Sequence, residues 1–197
     1  MSTIIDLLRH GEPVGGRMYR GGIDHPLTEP GWQQMRDATA EPAAWQHIVS
    51  SPLARCQAFA EELAQRLDLP LEIDPRLHEV GFGSWEGKTG DQLRANDPTV
   101  IQRFYHDPIS ERPEGAEELA DFQARVSASL EHHLQAQAGR HILLVAHAGV
   151  IRATVAHTLN APLPALYRMN VDNASFTRLR VTDERPLSLI YLNRRRP

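Results

Sequence analysis

The sequence predicts an α/β fold, a three-layer sandwich in which a mainly parallel central sheet is flanked by helices. Two observations predict it. Strand-like apolar runs alternate with segments of helical periodicity, and two of the runs end in a histidine close to a glycine. The 197 residues, 41% of them hydrophobic and 23% charged, suffice for one well-packed core. We therefore expect one domain over residues 1–197.

Apolar periodicity defines the elements of the first half of the chain. Thr28 is a suitable N-cap for the first helix, and Pro30 is tolerated in its first turn. Apolar residues recur every three or four positions between Pro52 and Leu67, as on one face of a helix. The predicted order is a strand at 3–9, a helix at about 28–41, a strand at 47–51, a helix at 52–67 and a short strand at 71–74.

The second half contains an irregular segment and then regular elements again. Residues 81–115 are rich in glycine at their start, and Pro98 and Pro108 interrupt short helices over 88–112, so we expect an insertion that caps a site. After it, the pattern predicts a helix at about 116–137, a strand at 141–147, a helix at 149–159 and two antiparallel edge strands at about 175–182 and 187–192.

Composition excludes several classes of protein. The net charge of −4 argues against a nucleic-acid partner, and no apolar run of about 18 residues predicts a membrane span. The first residues, MSTIIDLL, lack the pattern of a secretory leader, and the sole cysteine, Cys56, cannot form an internal disulfide. We expect a cytoplasmic protein. The sequence leaves its oligomeric state open, a homo-oligomer included.

Two strand ends and one helix start carry basic side chains. The first predicted strand ends in Arg9 and His10, the strand at 141–147 ends in His147, and Arg55 lies in the first turns of a helix. Ligands of open α/β sheets bind at the carboxyl ends of the strands, so the two histidines would meet if their strands are parallel neighbours. Arginine and helix N-termini both attract anions. The residues alone predict an anion site, although Arg55 could also be a surface residue.

Five motifs occur in an order that resembles the histidine phosphatase superfamily, the phosphoglycerate-mutase-like group: LLRHGE, DHPLTEPGWQQM, SSPLARCQAFA, LHEVGFGSWEG and LLVAHAGVIR. The resemblance spans roughly residues 4–177. Within the superfamily, the stretch RHGEPVGGRMYRGGIDHPLTEPGWQQM and the late stretch NVDNASFTRLRV look most like the α-ribazole phosphatase type. We therefore expect hydrolysis of a small phosphorylated molecule.

The resemblance implies a role for each matched residue. His10 would attack phosphorus and become transiently phosphorylated, and Glu79 would protonate the leaving group. Arg9, Arg55 and a protonated His147 would supply about three positive charges to the phosphoryl oxygens. Neither a metal nor a cofactor is implied. The residues assigned to substrate binding are Arg9, Arg55, His147, Ala148, Arg20 and Gly22.

The sequence also departs from the family pattern. Gly16 stands where the family often has asparagine, so Arg17, Arg20 or backbone N–H groups would replace that phosphate donor. The triplet AEE at 116–118 replaces GES, and AHAG replaces SHGG. Four alternatives stay open: a broad-specificity small-molecule phosphatase, a mutase, a phosphoryl-binding module without turnover, and a metal hydrolase. The last gains little from His132, His133 and His141, whose spacing is not diagnostic of a metal site and which we expect in solvent or partly in the core.

Overall fold

The computed structural model describes residues 1–197 and contains one six-stranded sheet. The strands are β1 (Ser2–Arg9), β2 (His47–Ser50), β3 (Leu71–Ile73), β4 (His141–Ala146), β5 (Phe176–Thr182) and β6 (Arg185–Arg194). Their order across the sheet is β3-β2-β4-β1-β5-β6. Strands β3, β2, β4 and β1 run parallel to one another, and β5 is antiparallel to both β1 and β6. This confirms the mainly parallel sheet with an antiparallel edge.

Six α-helices accompany the sheet: α1 (Glu29–Ala38), α2 (Ala54–Leu67), α3 (Gly90–Asn96), α4 (Val100–His106), α5 (Leu119–Ala136) and α6 (Ala148–Thr158). The side chain of Thr28 accepts a hydrogen bond from the N–H of Gly31, which confirms the predicted cap of α1. Helix α5 begins three residues later than predicted, because the backbone N–H of Ala116 closes a turn onto Pro113 and that of Glu117 donates to the carbonyl of Gly81. None of the helices combines the length and the apolar character that a membrane crossing requires.

Strand β4 shows how the three layers are built. Alternate side chains of a strand point to opposite faces of a sheet. Leu143 and Val145 belong to a cluster with α1 and α2, whereas Ile142 and Leu144 belong to a cluster with α5 and α6. All four are almost fully buried, and each contributes about 1.5–3 kcal/mol of hydrophobic stabilisation. A strand buried on both faces explains the unbroken apolar run at 142–146.

The segment predicted as a cap has a small core of its own. Trp85, Leu93, Ile101 and Phe104 form it, and Tyr19 packs against it from the loop after β1. Helix α3 begins with a capping box, in which Thr89 and Gln92 each accept the other's backbone N–H. Trp85 therefore packs against the two cap helices, α3 and α4.

The register of the two central strands places their ends level with each other. Arg9 of β1 pairs with Ala146 of β4, so His10 and His147 follow at the same height. The chain leaves β1 toward β2 and leaves β4 toward β5, which makes the boundary between β1 and β4 a topological switch point. The sheet thus delivers both histidines to one crevice.

Candidate active site

His10 lies buried at the end of β1 with its ring held by the backbone. Its Nδ1 is 2.7 Å from the carbonyl oxygen of Gly11. A carbonyl can only accept, so Nδ1 carries a proton and Nε2 of the neutral ring keeps a free lone pair. Burial lowers the pKa of His10 well below its ordinary value, and the neighbouring Arg9 and Arg55 lower it further. The ring is therefore neutral and nucleophilic through Nε2 at neutral pH.

His147, the residue before α6, is fully buried, and its ring centroid lies 5.2 Å from that of His10. Its Nδ1 accepts from Nε of Arg55 at 3.3 Å, and its Nε2 lies 2.7 Å from Oγ of Ser51. Burial, then the charge of Arg55, lowers its pKa well below the ordinary value. Desolvation and the fixed guanidinium therefore keep this ring neutral, and protonation of His147 against a bound phosphoryl group stays a prediction.

Arg55 occupies the second position of α2 and is fully buried, so the alternative of a surface arginine is wrong. Its Nη1 donates to the carbonyl of Ile23 at 2.8 Å, and its Nη2 donates to the carbonyl of Gly21 at 3.1 Å. These carbonyls and His147 fix the guanidinium plane without neutralising it. The remaining N–H groups face no carboxylate partner within ion-pair distance.

Arg9, the last residue of β1, adds a second guanidinium. Its Nη1 donates to the carbonyl of Val171 at 2.6 Å, while its buried Nε has no hydrogen-bond partner. Burial lowers the pKa of Arg9 to about 10, so it stays charged at neutral pH. One buried cation, Arg55, and one partly buried cation, Arg9, without a paired carboxylate are costly for a fold, and an incoming anion would relieve that cost.

Glu79 reaches the same crevice from the loop after β3 and is 8% exposed. Its Oε2 accepts from the N–H of Gly149 at 3.0 Å, and its Oε1 accepts from the N–H of Val80 at 2.9 Å. A Cβ at position 149 would overlap Oε1, so a larger residue there would displace the Glu79 carboxylate. The neighbouring N–H of Ala148, at the start of α6, has no acceptor in the chain and remains available to an anion.

Internal hydrogen bonds hold the loop after β1, which contains Arg20 and Gly22. Arg20 donates to the carbonyls of Val14 and Gly16 and to His25, so most of its N–H groups are occupied. The N–H of Gly22 donates to Glu86, which also accepts from Gly21 and Phe82. The sequence analysis missed Glu86, which holds this loop against the cap. Arg17 is exposed.

A small pocket adjoins Glu79. Apolar and aromatic side chains form most of it, and Arg152 of α6 lies at its wall with Nε donating to the carbonyl of Met169. The sequence analysis missed this wall, because its members come from four separate segments. The principal lining residues are Val80, Phe82, Phe122, Leu166 and Tyr167.

Three further histidines, His132, His133 and His141, lie outside the crevice. His141 binds the buried carboxylate of Asp6, as its Nε2 is 2.8 Å from Oδ2. His132 is exposed as expected, whereas His133 is fully buried, which corrects the expectation of solvent or partial core. The cause is Asp74, a buried carboxylate that lies 3.0 Å from Nε2 of His133. Asp24 accepts the N–H of Ala54 and so orients α2, in keeping with a structural role.

Comparison of the chain with known families gives a match to the histidine phosphatase superfamily (branch 1) over residues 5–193. The chain belongs to that superfamily. Relatives of the chain bear the names phosphoserine phosphatase 1 and probable phosphoglycerate mutase GpmB. The resemblance in sequence to the family is thereby confirmed.

Individual relatives of this histidine phosphatase differ in their names. It is 34% identical over 180 residues to the bifunctional protein Rv2228c of Mycobacterium tuberculosis, covering 89% of this chain and 49% of the relative. The chain thus spans about half the length of that protein. It is 28% identical to phosphoserine phosphatase 1 of Hydrogenobacter thermophilus, covering 93% and 89% of the two chains. The crystal structure of the α-ribazole phosphatase from Shigella flexneri superposes with a TM-score of 0.84 at 25% identity, covering 98% and 97%.

Proposed function

We propose that this enzyme hydrolyses phosphate monoesters of small molecules through a phosphohistidine intermediate on His10. The observation that carries the proposal is the hydrogen bond from Nδ1 of His10 to the Gly11 carbonyl, which leaves Nε2 as the free nucleophile in a cationic crevice. A neutral imidazole fixed in one tautomer suits attack on phosphorus. The same geometry serves the second step, in which the imidazole leaves.

The two steps balance in atoms and protons. Nε2 of His10 forms a bond to phosphorus while the ester P–O bond breaks, and the carboxyl group of Glu79 gives a proton to the leaving oxygen. Water then attacks phosphorus, the N–P bond breaks, and the Glu79 carboxylate accepts the proton of that water. Inorganic phosphate departs, and both residues return to their starting states.

The chain's own groups supply the positive charge for these steps. Arg9, Arg55 and the free N–H of Ala148 surround the end of β1, and all three act on phosphoryl oxygens in the proposal. Removing one such donor from a preorganised site typically costs about 10²–10³ in rate. On this proposal, charge stabilisation needs no metal. His147 adds a neutral donor and gains a proton only when a dianion has bound.

The proposed substrate is α-ribazole 5′-phosphate, the phosphate ester of a nucleoside with an aromatic base. The likeness to the Shigella structure supports it. The name phosphoserine phosphatase 1 of another relative makes phosphoserine the main competing ester.

A panel of esters tests the function and the substrate separately. The purified chain is incubated with EDTA and, in turn, α-ribazole 5′-phosphate, phosphoserine and 3-phosphoglycerate, and both free phosphate and transfer products are measured. We expect phosphate release from all active esters, with the largest kcat/KM for α-ribazole 5′-phosphate. A burst of acid-labile phosphoprotein that His10→Gln abolishes would identify the intermediate.

The outcomes that contradict the proposal are distinct. Release that requires an added divalent metal would favour a metal hydrolase. Isomerised phosphoglycerate without free phosphate would favour a mutase, and no reaction with any ester would favour a phosphoryl-binding module. A preference for phosphoserine would refute the substrate while leaving the phosphatase reaction intact.

A further inference from the structure

A second cluster of histidines and carboxylates lies where α5 crosses the β2–β3 edge of the sheet. Glu72 comes from β3, and His132 and His133 come from the last turns of α5. One carboxylate oxygen and one ring nitrogen of each histidine lie within 4.8 Å of one another. None of these residues belongs to the crevice at the ends of β1 and β4.

His133 is the most deeply buried member of this cluster. Its fully buried ring places Nε2 3.0 Å from Oδ2 of Asp74, which also accepts from Ser129 and Arg76. The other nitrogen, Nδ1, is buried without any hydrogen-bond partner. A carboxylate that holds one imidazole nitrogen is the usual means of orienting a histidine whose second nitrogen binds a metal.

His47 provides a second unpartnered nitrogen. It is the first residue of β2 and is 9% exposed, and its buried Nε2 has no hydrogen-bond partner. That nitrogen lies 3.7 Å from Oε2 of Glu72, which is too long for a hydrogen bond. Two buried imidazole nitrogens without partners beside one carboxylate are unusual, because each leaves a desolvation cost unmet.

We propose that Glu72, His132 and His133 bind a divalent transition-metal ion of the zinc class, with His47 as the fourth ligand. Imidazole and carboxylate suit zinc, whereas magnesium and calcium prefer oxygen ligands alone. Tetrahedral zinc would hold its ligand atoms about 3.3 Å apart, so the side chains close inward by about 1 Å on binding. Glu72 is part-exposed and His132 is exposed, and both have the freedom to do so.

The proposed ion fastens α5 to the edge of the sheet and takes no part in phosphoryl transfer. Its ligands come from β2, β3 and α5, which are far apart in sequence, so binding would cross-link three elements. Chelation should therefore lower thermal stability and leave kcat unchanged. This separates the proposal from the proposed function, since either can fail without the other.

Zinc titration of the full-length chain tests the site. After treatment with EDTA and its removal, Zn²⁺ affinity and stoichiometry are measured by competition with a chromophoric chelator, for the wild type and for Glu72→Gln and His132→Ala. Both substitutions replace side chains that are not buried, and melting without metal verifies folding. We expect one tight site in the wild type, at least about tenfold weaker binding in both variants, and a zinc-dependent rise in Tm that the variants lose.

Two control variants test whether other histidines bind the zinc ion. His106→Ala removes an exposed histidine of α4, and His10→Ala removes the nucleophile; both should retain the tight zinc site. The proposal is overturned if the wild type binds no zinc at micromolar concentration, if Glu72→Gln and His132→Ala bind as tightly as the wild type, or if His10→Ala alone abolishes binding.

Discussion

Two buried networks on β1 use the same side-chain types in opposite ways. In the middle of the strand, Asp6 accepts two hydrogen bonds from Arg178, and His141 and Trp45 bind it as well. Burial alone would raise the pKa of Asp6, but these hydrogen bonds lower it below its ordinary value. Every charge in this network has a partner.

At the end of the same strand, the charged side chains have no partner of opposite charge. Arg9 and Arg55 lie beside two neutral histidines, and no carboxylate forms an ion pair with either guanidinium. The first network is complete within the chain and serves the fold, whereas the second becomes complete only with an anion. Unpaired buried charge, more than residue type, therefore distinguishes a site from a structural network.

Replacing the nucleophile should produce the largest effect. We expect His10→Ala to reduce kcat by a factor on the order of 10⁴ or more, because removal of a covalent nucleophile leaves only binding and charge stabilisation. Phosphate release and circular dichroism check it, with His106→Ala as the matched control. A variant with wild-type turnover would contradict the assignment.

The geometry of the Arg55 guanidinium group, which donates several hydrogen bonds at once, should matter to catalysis as well as its charge. Arg55→Lys keeps a cation but cannot donate at once to Ile23, Gly21 and His147. We expect kcat to fall by about 10²–10³ and inorganic phosphate to inhibit less strongly. The exposed Arg17→Lys is the control, and equal kinetics of the two variants would show that Arg55 acts through charge alone.

Breaking the network around Asp6 should lower the stability of the fold and leave the catalytic rate unchanged. Asp6→Asn leaves Arg178 without its carboxylate partner in a buried setting, and we expect the free energy of unfolding to fall by roughly 3 kcal/mol. Urea unfolding measures this loss, and kcat should stay within about twofold of the wild type. A loss of kcat without loss of stability would mean that the two networks are coupled.

Much of this architecture could be predicted from local pattern. The apolar run of β4, the cap of α1 and the shared endings of β1 and β4 are properties of contiguous residues, and they located His10 and His147 correctly. The hydrogen-bond partners of these histidines could not be predicted. Ser51 binds His147 across 96 residues, and the neutral state of that histidine depends on burial, which no short segment reveals.

The cluster around Glu72 shows the same limit. His132 and His133 alone have no metal-binding spacing, and the carboxylates that approach them come from about 60 positions earlier in the chain. Likewise, the wall of the pocket beside Glu79 gathers residues from 80 to 167. Short stretches of sequence predict the helices and strands and where they end. Contacts between distant elements determine which side chains are charged and which ligands a pocket can accept.

The lowered pKa values of the two crevice histidines predict how stability depends on pH. Since His10 and His147 titrate well below 6.5 when folded, the unfolded chain binds more protons as pH falls below about 6.5. Stability present at pH 7.5 should therefore be lost toward pH 5, by at most about 1.4 kcal/mol per pH unit for each histidine. Urea unfolding across this range should give a smaller slope for His10→Ala and a wild-type slope for His106→Ala.

The smallest expected effect concerns the position where the family often has asparagine. Gly16 has φ +67°, a left-handed conformation that asparagine tolerates well among L-residues, and a Cβ there would meet no atom within 4 Å. Gly16→Asn should therefore fold normally and add an amide donor near the crevice, lowering the inhibition constant of inorganic phosphate by about two- to fivefold.

Gly15→Asn is the matched control for that substitution. Gly15 has φ +90°, and its Cβ would lie 2.9 Å from Cε of Met18, so the change should lower Tm and not improve phosphate binding. If Gly16→Asn leaves phosphate inhibition unchanged while the fold is intact, the amide lies out of reach of the anion. The charge of Arg9 and Arg55 would then suffice without the donor that relatives place there.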